Sequence, residues 1–216
     1  PVSPYLTLSI HLDGMEEDHD RIVDQKGTFK LAIEAVQEAK KRGFRVTSAT
    51  TFFEDTTVEK AEKFLDYLTS LGIDGVTMAS AFRYQDAPDQ DHFFGRRRTF
   101  DFFDKLLAKN KKDRWDLNHS PLYLEFLRGQ RDYSCTPWGN PSYSVLGWQK
   151  PCYLLDEGYA ETFKELMETT EWENYGHQNN RKCADCTAHC GYEPTAVKDA
   201  TSSLKGMMDS AKMVFQ

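Results

Sequence analysis

The chain has 216 residues, and its 27 basic and 34 acidic side chains give a formal net charge of -7. That length can form one large domain or two small ones. The negative charge disfavours nucleic-acid binding, because phosphate contacts depend on Lys and Arg. Mean hydropathy is -0.65, and no apolar run approaches the roughly 20 residues of a spanning helix. The composition therefore excludes a membrane span and indicates a globular chain.

The first third of the chain predicts alternating strands and helices. Strand patterns occupy residues 5–12, 44–53 and 75–81. Between them, apolar residues at a 3.6-residue period predict two helices, one capped by Thr28 and one behind a Thr56–Glu59 capping box. A polar loop is expected from residue 13 to residue 27. Such a β-α-β-α-β order predicts an α/β fold with a parallel sheet, whose functional residues lie at the carboxyl ends of the strands.

The remainder of the chain has a different composition. Helices are predicted over residues 97–110, 122–128 and 157–173, and the second of these begins with the Ser120–Pro121 pair. Residues 135–151 are rich in Gly, Pro, Ser and aromatic side chains, which is typical of turns and a hairpin. A polar, cysteine-rich loop follows over residues 176–190, and the tail after Ala196 has a weak helical pattern.

All five cysteines lie after residue 134. Cys183 and Cys186 form a C-x2-C pair that Cys190 extends, whereas Cys135 and Cys152 flank the predicted hairpin. Two such pairs, brought together by the fold, make a four-thiolate site for zinc or for an iron–sulfur cluster. Disulfides, which are typical of secreted proteins, and unconnected core cysteines are the structural alternatives.

The cysteine spacing C-x11-G-x4-C followed by C-x2-C resembles the auxiliary-cluster (twitch or SPASM-like) C-terminal region of radical S-adenosylmethionine (SAM) enzymes. The opening Ser-Ile-His-Leu-Asp-Gly at residues 9–14 resembles the fourth strand of their partial barrel. Longer stretches resemble the adenosyl-hopene transferase family of hopanoid biosynthesis. These stretches are residues 87–93, 120–127, 135–141, 147–155, 158–167 and 182–186.

The resemblance implies a fold in two parts. Residues 1–86 would form the last three parallel strands of a partial (β/α) radical-SAM barrel, and residues 87–216 a small α+β auxiliary-cluster domain. No C-x3-C-x2-C motif for the catalytic cluster occurs in the 216 residues. The chain is therefore expected to be a C-terminal fragment that is inactive alone.

The resemblance also implies a chemistry for the full-length parent. A catalytic 4Fe–4S cluster reduces SAM, and the 5′-deoxyadenosyl radical adds to the exocyclic double bond of a hopene, forming adenosylhopane. The expected partners are SAM, an apolar hopene-type substrate and an electron donor such as flavodoxin or ferredoxin. The expected location is cytoplasmic, with peripheral contact at the inner membrane face as an option. The alternatives are another twitch-type radical-SAM enzyme, acting on a peptide or small metabolite, and a non-catalytic zinc-binding module.

The family pattern assigns Cys135, Cys152, Cys183 and Cys186 to an auxiliary 4Fe–4S cluster. Cys190 is then a substitute ligand or a free thiol. His189, close to these cysteines in sequence, is an alternative ligand.

Three polar residues near the end of the first strand are predicted to contact SAM. His11 and Asp13 could hydrogen-bond the ribose or the methionyl ammonium, although Asp13 could instead cap the turn before Gly14. Arg21 could pair with the methionyl carboxylate, or form a surface ion pair with Glu17 or Asp24.

Two further groups have two interpretations each. The arginines at residues 96–98 are either an anion-binding cluster or a solvated helix start. The aromatic residues near the hairpin cysteines either exclude water from a cluster or line an apolar substrate pocket. They are Trp138, Tyr143, Trp148, Tyr153 and Tyr159.

Overall fold

The computed structural model describes residues 2–83, 91–155, 157–202, 204, 207, 208 and 211. The chain folds as two compact units. The first comprises Pro1–Ala81 and Asp104–Asn118, and the second comprises Phe82–Phe103 and His119–Gln216. The domain boundary predicted at residues 86 and 87, and most of the motif at residues 87–93, lie outside the described residues.

The first unit contains a three-stranded parallel sheet in the order β1-β2-β3. Its elements are β1 (Thr7–His11), α1 (Glu16–Ile22), α2 (Thr28–Lys41), β2 (Arg45–Phe52), α3 (Val58–Ser70) and β3 (Val76–Ser80). Each long helix buries an apolar stripe, for example Val36 of α2 and Leu65 of α3. The predicted α/β order is confirmed. The described residues form an open sheet rather than a closed barrel.

The edge of β3 in the first unit is extended by a short segment near the end of that unit. The backbone N–H of Val76 donates to the carbonyl of Asp116 (2.8 Å), and the N–H of Asn118 donates to the carbonyl of Val76 (2.9 Å). Leu117 thereby forms an isolated parallel bridge with Val76. This pairing satisfies backbone groups that would otherwise be unpaired at the sheet edge.

Three details of the first unit differ from the sequence prediction. Helix α1 lies in the segment predicted to be a loop; its first turn is acidic, which suits a helix N-terminus, but its one buried residue is His19, so no apolar stripe marks it. Gly27, at φ 88°, caps α2 instead of Thr28. The cap of α3 is Thr57, whose hydroxyl accepts from the N–H of Lys60, instead of Thr56.

The second unit combines helices with a small antiparallel sheet. Its elements are α4 (Arg96–Leu107, whose residues 104–107 belong to the first unit), α5 (Pro121–Leu127), β4 (Tyr143–Ser144), β5 (Gly147–Gln149), β6 (Tyr159–Ala160), α6 (Phe163–Thr169) and α7 (His189–Ser202). The Ser120 cap and the predicted hairpin are confirmed. Helix α5 packs on α7 through Phe126 and Tyr192, whose rings stack with centroids 4.5 Å apart.

The predicted helix at residues 157–173 is shorter in the structure. Residues 159 and 160 form β6, and Thr162 then caps α6 by accepting from the N–H of Glu165 (3.1 Å). Pairing with β5 therefore overrides the local helical pattern. Gly147 makes that pairing possible: its φ is 118°, and a Cβ there would lie 2.6 Å from the carbonyl oxygen of Ala160.

Across the described residues, no helix is both long and apolar enough to cross a membrane.

Candidate metal centre

All five cysteines line one pocket in the second unit. Cys135 precedes a short 3₁₀ turn, Cys152 follows β5, Cys183 and Cys186 lie in the loop before α7, and Cys190 lies in the first turn of α7. All five are free thiols. Much of the remaining lining is apolar, including Pro137, Leu154 and Leu155. The fold therefore brings together sulfurs that are distant in the sequence.

Burial dominates the electrostatics of these thiols. It raises the pKa of Cys135 to about 12 and that of Cys152 to about 11, and neighbouring sulfurs add to the effect. The pKa values of the other three thiols are raised as well, again chiefly by burial. Buried anionic sulfurs repel one another, so the site favours a bound cation or cationic cluster core.

Backbone N–H groups act in the opposite direction. They approach Cys152 from Leu154 and Leu155, and Cys186 from Ala188, and each such hydrogen bond lowers the pKa of the thiol that burial has raised. Hydrogen bonds to ligand sulfurs are a recurring feature of iron–sulfur sites, where they stabilise the thiolate and set the reduction potential.

The first turn of α7 lies directly against Cys135. The N–H of Thr136 donates to the carbonyl of Gly191 (2.8 Å). A Cβ on Gly191 would lie 2.3 Å from the Sγ of Cys135, and one on Gly139 would lie 2.5 Å from the Cβ of Pro194. Glycine at both positions therefore permits the close approach of the two segments.

The donor set fits an iron–sulfur cluster. Thiolates are soft anionic ligands, and four of them saturate a cubane. Within the described ranges, no three His, Cys, Asp or Glu side chains have the spacing for one shared metal ion. A four-iron cluster is larger than one ion and holds its thiolates farther apart.

Arg96 is the first residue of α4, and its side chain contacts this site instead of extending into solvent. Its guanidinium donates to the carbonyl of Cys186 (2.7 Å) and to the hydroxyl of Tyr192 (3.3 Å). It also lies 5.1 Å from the ring centroid of Phe100 and 5.3 Å from that of Phe126. Its charge acts to lower the pKa of Cys135 that burial raises. The sequence feature that could have indicated this role is an arginine close to several aromatic residues.

The predicted aromatic residues do not share one location, and Trp138 is exposed in the short 3₁₀ turn after Cys135. Tyr153 lines the pocket and hydrogen-bonds the Cys190 thiol. Trp148 instead packs on Tyr143 (5.1 Å between ring centroids) and on Phe163 (5.2 Å). Trp148 lies in β5, and the pairing of β5 with β4 and β6 places its indole in the small sheet. Tyr175 and Tyr192, which the sequence analysis did not select, join the pocket lining.

Two of the predicted SAM contacts hydrogen-bond each other in the first unit. The Oδ1 of Asp13, which is 2% exposed, accepts from the N–H of Thr51 (2.7 Å), and its Oδ2 lies 2.5 Å from the Nε2 of His11. This hydrogen bond raises the pKa of His11. Asp13 therefore joins the carboxyl ends of β1 and β2, which explains a carboxylate at that place. Its role towards SAM stays a prediction.

Arg21 lies on the surface in ion pairs. Its guanidinium contacts Asp55, and it lies 3.5 Å from a carboxylate oxygen of Asp18. The side chain is 48% exposed. The structure therefore shows a surface ion pair, although with other partners than the sequence suggested.

His19 belongs to the same end of the sheet and was not singled out from the sequence as a site residue. It is 1% exposed, and its Nδ1 accepts from the N–H of Asp13 (3.2 Å). Its Nε2 is buried and makes no hydrogen bond within the part of the chain that the structure describes. Burial lowers its pKa, which favours the neutral ring. The His-Asp-Arg run at residues 19–21 was the available signal.

Comparison with known proteins identifies one family. A family model described as "Domain of unknown function (DUF3463)" matches residues 76–210. No curated protein and no solved structure matches the chain. The family match spans more than half of the chain and includes all five cysteines. The chain therefore belongs to the DUF3463 family.

Proposed function

We propose that this chain binds a 4Fe–4S cluster through its cysteines. We further propose that it forms the C-terminal part of a radical-SAM enzyme that adds a 5′-deoxyadenosyl radical to the double bond of a hopene, giving adenosylhopane. The observation that carries the proposal is the convergence of all five cysteines on one pocket. Membership of DUF3463, a family associated with radical SAM-like proteins, supports the enzyme class. The motifs shared with adenosyl-hopene transferases support the substrate.

The pocket residues have separate tasks in this proposal. The thiols hold the cluster, and the apolar side chains of Leu154 and Leu155 exclude water from it. Backbone N–H groups stabilise the ligand thiolates, and Arg96 holds the Cys186 carbonyl. A 4Fe–4S cluster with four protein thiolates supplies one-electron transfer or structural support, because no iron is left open for SAM.

The first unit supports the same enzyme class. Its parallel strands end at His11, Phe52 and Ser80, so the loops that follow them share one edge of the sheet. Ligands of open parallel sheets bind at that edge. We propose that the edge near Asp13 and His19 faces SAM in the parent enzyme.

Metal analysis tests the cluster directly. The 216-residue chain is purified without oxygen and reconstituted with iron and sulfide. We expect a brown protein with about four iron and four sulfide per chain. Zinc at a constant ratio without sulfide would contradict the proposal and favour a zinc-binding module.

Assay of the parent enzyme tests the chemistry. With SAM, a reductant and a hopene, we expect adenosylhopane, identified by mass spectrometry. The matched control leaves out the hopene, so that adenosylhopane does not form. The isolated 216 residues should form no 5′-deoxyadenosine, because they contain no C-x3-C-x2-C motif. Turnover of SAM by the parent without reaction of the hopene would contradict the substrate assignment.

A further inference from the structure

Five thiols line the pocket, whereas a cubane cluster takes four. The family pattern leaves Cys190 aside and uses both members of the C-x2-C pair. The geometry around Cys190 and Cys183 points to a different set.

Cys190 is joined to both cysteines of the hairpin region. The next residue, Gly191, accepts a hydrogen bond from Thr136, and its Cα lies so close to Cys135 that a Cβ would approach that sulfur to 2.3 Å. On the other side, the hydroxyl of Tyr153, the neighbour of Cys152, donates to the sulfur of Cys190. Cys190 therefore lies between the segments that carry the two other thiols.

Cys183 lies at a polar rim of the pocket. The adjacent Lys182 forms an ion pair with Glu157 (2.8 Å), which also accepts from the hydroxyl of Tyr175 (2.7 Å). Cys190 instead lies in the first turn of α7, where backbone N–H groups have no partner within the helix.

We infer that Cys190 completes the ligand set with Cys135, Cys152 and Cys186, and that Cys183 lies outside that set. The inference rests on the proposed metal site, but not on which metal occupies it. It also gives α7 a function, because this helix then supplies a ligand as well as packing on α5.

A matched pair of variants tests the assignment. Cys190→Ala and Cys183→Ala remove the same atoms from one pocket, and both are reconstituted without oxygen in the full 216-residue chain. We expect Cys183→Ala to keep about four iron and four sulfide per chain, with the absorbance and the electron paramagnetic resonance spectrum of the unsubstituted protein. Cys190→Ala should lose more than roughly half of its iron and show an altered spectrum.

Circular dichroism of both variants before reconstitution checks that they fold alike. If Cys190→Ala does not fold, Cys190→Ser keeps the side-chain volume, and an oxygen ligand should still change the resonance spectrum. Retention of the full cluster by Cys190→Ala, or equal loss in both variants, would overturn the assignment.

If the proposed function is wrong, the unsubstituted chain should instead contain zinc without sulfide. Zinc content of the same two variants would then still decide which thiols are ligands.

Discussion

The cysteine pocket depends on the absence of one methyl group, at Gly191. Gly191 lies in α7, where alanine would ordinarily add about 1 kcal/mol of helix stability. Here a methyl group would meet the sulfur of Cys135 at 2.3 Å. The cysteine spacing could be read from the sequence, but the requirement for glycine at residue 191 could not. That need arises from a contact between residues distant in the chain.

We therefore predict that Gly191→Ala lowers metal binding despite its favourable helix propensity. The methyl group forces the Cys135 thiol out of its place, so iron per chain should fall at least about twofold after reconstitution. The control is Gly75→Ala in the first unit, where a Cβ would lie 3.4 Å from the Cβ of Asn118, an ordinary contact. Equal iron content in the two variants would show that Cys135 tolerates the methyl group.

At the scale of elements, α7 is held to the start of α5 by one carboxylate. Glu193 accepts from the N–H of Ser120 (2.7 Å) and lies 3.2 Å from the Nδ1 of His119. Burial acts to raise the pKa of Glu193, but these hydrogen bonds outweigh it and hold the pKa below the ordinary value of 4.5. Helix α5 and its Ser120 cap were predictable from local sequence; its partner on α7 was not.

This pairing predicts a pH-dependent stability. Because the folded state lowers the pKa of Glu193, it binds the proton more weakly than the unfolded chain, so the stabilisation is present above pH 4.5 and lost as pH falls through the folded pKa. Glu193→Gln should lower the free energy of unfolding by roughly 2 kcal/mol at pH 7, and by less at an acidic pH below the folded pKa of Glu193.

Urea unfolding of the reduced chain at both pH values measures this difference. Glu168→Gln serves as the control, since Glu168 lies on the exposed face of α6, 3.9 Å from Lys164. An equal destabilisation of Glu193→Gln at the two pH values would show that the charge of Glu193 is not what stabilises the contact.

At the scale of the whole molecule, the two units differ in what stabilises them. The first has a sheet with two amphipathic helices, whose apolar stripes form a conventional core. The second has short strands of two or three residues and carries all five cysteines. Short strands contribute little pairing energy, so a bound metal centre would contribute a larger share of stability there.

We predict that removal of the metal centre destabilises the second unit selectively. After treatment of the reconstituted chain with a chelator and an oxidant, backbone amides around Cys135, Cys152 and Cys186 should exchange hydrogen at least about tenfold faster. Amides of β2 should keep their protection. A Cys135→Ala/Cys186→Ala variant provides the control, because the treatment should not change its exchange. Equal acceleration in β2 would mean that the effect is not confined to the cysteine-bearing unit.

The sequence by itself determined the features that depend on neighbours along the chain. These include the α/β order of the first unit, the Ser120 cap, the hairpin and the cysteine spacing, because periodicity and turn residues act over a few positions. Helix α1 and the true start of α6 were missed, since weak local patterns were overridden by packing and strand pairing.

Only the tertiary structure decided which residues from these features come into contact. It placed Gly191 against Cys135, turned the side chain of Arg96 towards the pocket, and joined two strand ends through Asp13. Each of these contacts links residues far apart in the chain. Such contacts form when apolar faces pack and bury polar groups that then require partners, and no local pattern specifies which partners those are.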